Sequence, residues 1–285
     1  MSFVLLAACS APASPASNVA TMDSFEDLSA ATDMAAPITA TFAAQVSQSD
    51  SVSFFYSQGV ARFQNGWIFS ASGRLWRTDD KFNELAEVNG VPLPAELTAL
   101  GFNHIGDIDV AEGVIYGAME QHDFGRNQQV VIRFDPMTLK YIDHVLLPQH
   151  EAPWVTVEDA TMTAFLTDRY SDDTLLRYDI KGGWKKLPSL KLSQKLEHIQ
   201  GADIAQGAIW LSCDDPPQGI YRADLQTGVV QQIGTVNRQT KIGDFRPEVE
   251  GIDATPLPSG LLHVLTGEPL QATSWLDHFA VNGAK

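Results

Sequence analysis

Four copies of one short motif decide the fold: two apolar residues, an arginine, any residue and an aspartate. The copies are Leu75-Trp76-Arg77-Thr78-Asp79, Val131-Ile132-Arg133-Phe134-Asp135, Leu175-Leu176-Arg177-Tyr178-Asp179 and Ile220-Tyr221-Arg222-Ala223-Asp224. Their arginines are separated by 56, 44 and 45 residues. A motif that recurs at a nearly fixed spacing is typical of repeat architectures, so the chain is predicted to be built from repeated units.

Each unit carries further strand signals before the motif. Short apolar runs rich in β-formers precede it, as in Trp67-Ile68-Phe69 and Ala208-Ile209-Trp210. Further upstream comes a strand with a glycine near its start, and from Gly59 to Gly251 there are 192 residues over four steps, a mean of 48. Four strands in such a period are typical of a β-propeller blade. We therefore expect an all-β, five-bladed β-propeller, with six blades as the alternative.

A β-sandwich is the other architecture with short strands and regular turns, but sandwiches do not repeat one motif at a fixed period. The last unit has only three strand signals before the chain ends. The segment Ser51–Tyr56 is β-like and has no partner in the first unit. We expect this N-terminal segment to supply the outer strand of the last blade and so to close the ring.

Composition restricts the partners. The 285 residues include 35 acidic and 19 basic side chains, for a net charge of -16. Such a chain repels phosphate backbones, so nucleic acid is not expected as a partner. No apolar run reaches the ~18–20 residues that span a bilayer. We expect a monomer that binds a small polar molecule or a protein.

The N-terminus resembles a bacterial lipoprotein signal. Leu6-Ala7-Ala8-Cys9 resembles the lipobox, whose cysteine is lipidated after the preceding residues are removed. The resemblance implies a signal segment at 1–9. Composition indicates an Ala/Ser/Thr/Pro-rich linker at 10–50, and the repeated units predict the propeller at 51–285. The lipobox resemblance implies a location in the cell envelope, on the periplasmic side or in the outer membrane, or secretion, with membrane contact only through a lipid on Cys9. A chance alanine-rich start is the alternative, because the apolar run is short and no basic residue precedes it.

The repeated Arg-x-Asp motif is interpreted as structural. A residue type that recurs at one place in every blade serves packing and turn formation. We expect each arginine to pair with a carboxylate of its own or a neighbouring blade. We expect each aspartate to accept backbone N–H bonds in the turn that follows.

The starts of the inner strands carry the candidate site, because side chains there converge on the channel axis. The candidate ligand-binding residues all lie near these starts and are His104, Asp107, Glu158, His198, Gln200 and Glu250. Oxygen ligands suit a hard cation such as calcium, and the candidate metal ligands are Glu158, Gln200, Glu250, Asp107 and Gln58. The same set suits hydrogen bonding to a polar metabolite, and a plugged channel without a ligand is the third reading.

Two channel segments resemble those of a known superfamily. His104-Ile105-Gly106-Asp107-Ile108-Asp109 and Glu248-Val249-Glu250-Gly251-Ile252-Asp253 are similar to the inner strands of calcium-dependent propellers. That superfamily comprises senescence-marker lactonases, strictosidine-synthase-like proteins and paraoxonases. The resemblance implies calcium as a cofactor, with Glu250 at a ligand position. It adds a metal-dependent hydrolase or lactonase as the alternative to a ligand-binding or interaction module.

Overall fold

Five four-stranded antiparallel sheets make up the part of the chain that the structure describes. The structure is a computed structural model, and it describes residues 41–90, 93–121, 128–169, 172–238, 246–268 and 272–283. The expected signal segment, Cys9 and the expected linker up to residue 40 lie outside these residues. The inner strands of the five sheets contact one another around a common axis. The predicted five-bladed β-propeller is confirmed, and the six-bladed alternative is wrong.

The strands follow the chain blade by blade. Blade one contains β2 (Val60–Phe63), β3 (Gly66–Ala71), β4 (Arg74–Asp79) and β5 (Glu84–Asn89). Blade two contains β6 (Phe102–Ala111), β7 (Val114–Gln121), β8 (Gln129–Phe134) and β9 (Tyr141–Leu147). Blade three contains β10 (Thr156–Glu158), β11 (Thr163–Leu166), β12 (Asp172–Asp179) and β13 (Lys185–Leu196). In each of these blades the first strand lies on the axis and the last on the outside.

The last two blades complete the ring. Blade four contains β14 (Ile199–Ala205), β15 (Ala208–Cys213), β16 (Gly219–Asp224) and β17 (Val230–Thr235). Blade five contains β18 (Glu248–Asp253), β19 (Leu262–Glu268), β20 (Thr273–Asn282) and, from the other end of the chain, β1 (Ala43–Val52). A five-residue helix, α1 (Ala95–Ala99), precedes blade two. Within the described ranges no helix is long and apolar enough to cross a bilayer.

Burial explains why the middle strands are so apolar. Every residue of β3 and β15 is buried, because each strand lies inside its sheet and neighbouring blades cover both faces. Side chains of adjacent blades share one cluster, as Ile68 of blade one does with Ile105 and Ile132 of blade two. A single four-stranded sheet cannot bury two apolar faces alone, so the stacking of blades is what stabilises each one.

The motif aspartates accept the bonds that the sequence predicts. Asp79 accepts the N–H of Lys81 and Asn83, and Asp179 accepts that of Gly182. Asp135 and Asp224 do the same in their own turns, with Met137 and Thr138 and with Gln226 and Thr227 as donors. The predicted pairing with a carboxylate is confirmed for Arg133, which pairs with Asp143, and for Arg222, which pairs with Asp224. Arg177 instead lies over the Phe165 ring. The motif therefore fixes the turn between the third and fourth strands.

The ring closes through the N-terminal strand, as predicted, but the strand bounds were wrong. β1 pairs antiparallel with β20, from Ala43 opposite Asn282 to Val52 opposite Ser274. The predicted strand Ser51–Tyr56 overlaps it only at its start, because the chain turns at Ser53, whose carbonyl accepts the Tyr56 N–H. Residues 43–50, assigned to the linker, therefore belong to the propeller.

We predict that loss of β1 destabilises the whole domain. A chain that begins at Ser53 leaves β20 as an unpaired edge, and we expect its free energy of unfolding to fall by about 3–5 kcal/mol. A control chain that begins at Thr41 keeps the whole strand and should unfold like the longest form. Urea unfolding followed by tryptophan fluorescence measures both. Equal stability of the two chains would contradict the closure.

Candidate functional site

The carboxylate of Asp107 lies on the axis, where backbone donors from four blades surround it. Its Oδ1 accepts the N–H of Val60 (3.2 Å) and of Ile108 (2.9 Å). Its Oδ2 accepts the N–H of Ala202 (3.1 Å) and of Ile252 (3.4 Å). These donors belong to blades one, two, four and five. We call this arrangement the Asp107 hub.

Blade three completes the hub through the backbone. The Asp107 N–H donates to the carbonyl of Pro153 at 2.7 Å. Pro153 lies just before β10, the inner strand of blade three. Three glycines make room for Asp107. A Cβ on Gly201 or Gly251 would lie less than 3.0 Å from a carboxylate oxygen of Asp107, and a Cβ on Gly59 would lie equally close to its Cα. The repeat glycine of blades one, four and five is therefore required because the inner strands approach one another closely at the axis. Asp107 occupies the equivalent position in blade two.

The hub does not fit the predicted metal-ligand role of Asp107. Four N–H groups point at its two oxygens, and a cation in their place would face their positive ends. Burial raises the pKa of the Asp107 carboxyl well above its usual range, and the backbone hydrogen bonds act in the opposite direction. Asp107 is thus a structural plug of the channel.

A second set of polar side chains lies beside the hub and runs out to the surface. Ser72 Oγ is 2.7 Å from His104 Nδ1, and His104 Nε2 is 2.7 Å from Gln58 Oε1. Gln58 Nε2 in turn donates to Glu250 Oε1 at 3.4 Å. Since the carboxamide oxygen accepts, His104 carries its proton on Nε2 and accepts from Ser72. We call these four residues the channel mouth.

Burial and neighbouring carboxyl groups favour the uncharged form of the groups at the inner end of the mouth. Burial raises the pKa of Glu250 well above its usual range, and the neighbouring carboxyl groups of Glu248, Asp214 and Glu120 raise it further. Burial also lowers the pKa of His104. A protonated carboxyl and a neutral imidazole are therefore favoured, and both offer one donor and one acceptor.

The other predicted residues fall in different places. Gln200 is half-buried and precedes Gly201 as Gln58 precedes Gly59, so it belongs to the same level of the channel. His198 is exposed near the same end, and its carbonyl accepts the Asp214 N–H. The structure thus brings His104, Gln58 and Glu250 into contact and leaves Gln200 and His198 as neighbours on the rim.

Glu158 lies at the opposite end of its inner strand, which corrects its assignment to this site. The preceding residue, Val157, donates its N–H to Asp109 at the far end of the channel, and Glu158 itself accepts from Thr161. Blade three has no glycine to mark the register, so the alignment of the repeats placed the start of its inner strand too far along the chain. Pro153, whose carbonyl meets Asp107, holds the position that was given to Glu158.

The predicted calcium ligands are therefore not assembled. Within the described residues, no group of three or more His, Cys, Asp or Glu side chains is arranged to hold a metal ion. Asp107 is occupied by N–H donors and Glu158 is remote, which leaves only Glu250 with the carboxamides of Gln58 and Gln200. This set does not fit calcium, which takes about 6–8 oxygen ligands.

Sequence reasoning missed a ring of three aspartates below the hub, of which Asp253 is buried and Asp109 and Asp203 are half-buried. Each one ties its blade to the next: Asp109 accepts the N–H of Val157 (2.7 Å), Asp203 that of Ala254 (2.6 Å) and Asp253 that of Arg62 (2.6 Å). Burial raises the pKa of all three, and that of Asp109 reaches about 7. The signal was present in the sequence, since two of these aspartates follow the repeat glycine by two residues and the third follows Asp107 by two.

The fold and this channel define the class: a five-bladed β-propeller with a plugged axis and one polar mouth. No protein-family model matches the chain, and no curated protein matches it. Among solved structures, the chain is similar to the PQQ-bound form of aldose sugar dehydrogenase from Streptomyces coelicolor, with 11% identity, a TM-score of 0.53 and coverage of 85% of this chain and 99% of that one. The nidogen/laminin complex matches with 10% identity and a TM-score of 0.47 over 68% of this chain and 66% of that one. The first likeness shows the propeller fold, and the calcium-dependent superfamily is not confirmed.

We predict that the aspartate ring makes stability depend on pH. The folded-state pKa of Asp109, about 7, exceeds its value in the unfolded chain. The stability it contributes is then complete at low pH and is lost as pH rises toward 7, by up to about 1.4 kcal/mol per pH unit. The free energy of unfolding between pH 5 and 8 should therefore fall less steeply in Asp109→Asn than in the unmodified protein.

A matched control separates this effect from general charge. Asp135 accepts turn N–H bonds on the surface, and these bonds lower its pKa. Asp135→Asn should leave the slope between pH 5 and 8 unchanged. Urea unfolding at four pH values gives the slopes. If all three proteins show one slope, the ring does not titrate as described.

Proposed function

We propose that the channel mouth binds a small polar molecule that is not an anion. The observation that carries this proposal is the unbroken line of hydrogen bonds from Ser72 through His104 and Gln58 to Glu250. The side chain of His104 is 28% exposed, whereas Glu250 is 5% exposed. The line therefore leads from solvent to a buried group, and a few convergent polar groups of this kind are what fix the orientation of a ligand in a binding site.

The chemistry of the mouth supports an uncharged or cationic ligand. Neutral His104, Gln58 and protonated Glu250 can each exchange a bond within the line for a bond to a ligand hydroxyl or amine. Glu248 and Asp214 lie near enough to act on the pKa of Glu250, and the Asp214 carboxylate pairs with Arg246 (2.9 Å). An anion would meet this acidic surrounding at a cost in free energy, so carboxylates and phosphates are disfavoured.

The alternative of a metal-dependent hydrolase or lactonase lacks a supporting observation. Such a reaction needs a bound metal and a base that stands free of it. The predicted metal ligands do not converge in the described residues. The aldose sugar dehydrogenase neighbour binds PQQ by its printed description, and at 11% identity this likeness extends to the fold alone.

The test is a binding screen with the purified protein. Thermal shift against neutral polyols, amines and carboxylates should show stabilisation by a polyol or an amine and none by a carboxylate. For the best compound, Gln58→Ala should raise the Kd by about tenfold, the loss of one to two buried hydrogen bonds. Glu158→Gln, at the other end of the channel, should leave the Kd unchanged.

Two outcomes would contradict the proposal. The first is that no polyol or amine binds, or that Gln58→Ala and Glu158→Gln bind alike. The second is a calcium-dependent rise in melting temperature that a chelator reverses and Glu250→Gln abolishes. That result would place a cation where the described side chains offer too few ligands.

We also propose export with a lipid on Cys9, on the strength of Leu6-Ala7-Ala8-Cys9 and the Ala/Ser/Thr/Pro-rich segment after it. Lipidation would keep the propeller at the membrane surface of the cell envelope. Cys9→Ala should move the protein from the membrane fraction to the soluble periplasmic or external fraction, whereas Cys213→Ala should not. Membrane association that survives Cys9→Ala would overturn the assignment.

A further inference from the structure

The hydroxyl of Ser72 and the imidazole of His104 form a hydrogen-bonded pair at the outer end of the channel mouth. Ser72 lies in the turn between β3 and β4 of blade one, and His104 lies in β6 of blade two. Their Oγ and Nδ1 atoms are 2.7 Å apart. Ser72 is exposed and His104 is half-buried, so the hydroxyl can be reached from solvent while its partner is held by the protein.

The second nitrogen of His104 fixes the direction of that hydrogen bond. His104 Nε2 is 2.7 Å from Oε1 of Gln58, an oxygen that only accepts, so the ring hydrogen lies on Nε2. Nδ1 then carries a lone pair, and the Ser72 hydroxyl donates its hydrogen to it. Burial lowers the pKa of His104 below the ordinary histidine value of about 6.5, which leaves the imidazole neutral and able to accept a proton at neutral pH.

We propose that Ser72 is a nucleophile, that His104 is its general base, and that the channel mouth hydrolyses neutral carboxylic esters. A hydroxyl bonded to an unprotonated imidazole nitrogen, in a ring whose other nitrogen is oriented by a third group, is the arrangement that activates serine and cysteine nucleophiles. Gln58 is the orienting group here. The proposal rests on the proposed function, since the mouth that binds a polar molecule is to hold the alcohol part of the ester.

The reaction uses water and no other co-reactant. Ser72 Oγ attacks the carbonyl carbon of the ester and passes its hydrogen to His104 Nδ1. The bond from that carbon to the alcohol oxygen then breaks, the proton on His104 goes to the leaving alcohol, and the acyl group stays on Ser72. Water attacks the acyl carbon in the same way and gives one hydrogen to His104, and the carboxylic acid is released as Ser72 Oγ regains its hydrogen.

Two neighbouring groups support the charges that develop. The carboxyl group of Glu120 is buried, and its Oε2 lies 3.7 Å from His104 Nε2, where a carboxylate stabilises the imidazolium that forms in each step. Gly73 follows Ser72 in the turn, beyond the last residues that pair β3 with β4. The N–H of the residue after the nucleophile is a common donor to the oxyanion in acyl transfer, and Gly73 supplies that N–H here.

We expect the acyl part of the ester to be apolar. Phe54 and Phe55, in the loop before Gln58, are 37% and 58% exposed. The guanidinium carbon of Arg74, two residues after Ser72, lies 5.6 Å from the centre of the Phe55 ring, so this aromatic surface borders the Ser72 turn. The acidic surrounding of the mouth disfavours an anionic acyl group, and it also favours departure of the carboxylate product.

Ester hydrolysis by the purified full chain tests the proposal. The probe is p-nitrophenyl butyrate, a neutral ester with an apolar acyl group, and we expect it to be hydrolysed with saturation kinetics. Ser72→Ala and His104→Ala should each lower kcat/KM by about 100-fold or more, whereas Ser259→Ala should not change it. Ser259 is the matched control, because its hydroxyl lies 3.3 Å from a ring nitrogen of another histidine, His278.

The role of Gln58 as a positioning residue is tested by rescue. Gln58→Leu keeps the size of the side chain but cannot accept the Nε2 hydrogen of His104, so kcat should fall by roughly tenfold or more. Gln58→Glu has a carboxylate that accepts this hydrogen, and it should restore most of the lost kcat. Equal kcat values in the two variants would show that Gln58 does not orient His104.

Covalent labelling separates this proposal from the proposed function. A neutral fluorophosphonate should form a bond from its phosphorus to Ser72 Oγ as fluoride leaves, and peptide mass spectrometry locates the adduct. Hydrolysis or labelling that survives Ser72→Ala would overturn the proposal. A protein that binds a polyol or an amine, yet neither hydrolyses the ester nor reacts with the fluorophosphonate, would overturn it as well and leave the proposed function intact.

Discussion

The architecture depends on one carboxylate placed where five strands converge. Inner strands that surround an axis bring their N–H groups into a space too small for water to satisfy all of them, and each buried donor left unpaired costs roughly 1–3 kcal/mol. Asp107 accepts four of these N–H groups with its side chain and reaches the fifth blade through its own N–H and the Pro153 carbonyl. Every blade is thus bonded to one residue, and the glycines at 59, 201 and 251 are what let it fit.

The site follows from that plug. Because Asp107 closes the axis, the channel is divided into an acidic ring on one side and the mouth on the other. The ring is fully engaged in blade-to-blade bonds, as Asp203 shows by accepting the Ala254 N–H. The side chains of the mouth bond mainly to one another, in a line of hydrogen bonds that ends at Glu250 beside the hub. Its groups can exchange partners without loosening the ring, so it is the part of the channel that we assign to a ligand.

The sequence predicted the elements that repeat, and it failed where blades two and three depart from the repeat. The Arg-x-Asp spacing located the third strand of four blades, and the strand count required closure by the N-terminus. The absence of a glycine in blade three shifted the register there, which misplaced Glu158. The sequence shows only that residue 107 is an aspartate. It does not distinguish a buried carboxylate that accepts N–H bonds from one that binds a metal, so the role of Asp107 could not be predicted. The contact between Ser72 and His104 depends on the packing of blade two against blade one, and no spacing in the sequence indicates it.

The measurement that tests the central claim most directly is native-state hydrogen exchange at the four amides that bond to Asp107, namely Val60, Ile108, Ala202 and Ile252. If the hub holds all blades together, none of these amides can exchange unless the ring opens. All four should then exchange with one common free energy, equal to that of global unfolding, and with the same denaturant dependence. Exchange of any one of them through a smaller, local opening would show that its blade is held by other contacts, and it would contradict the account.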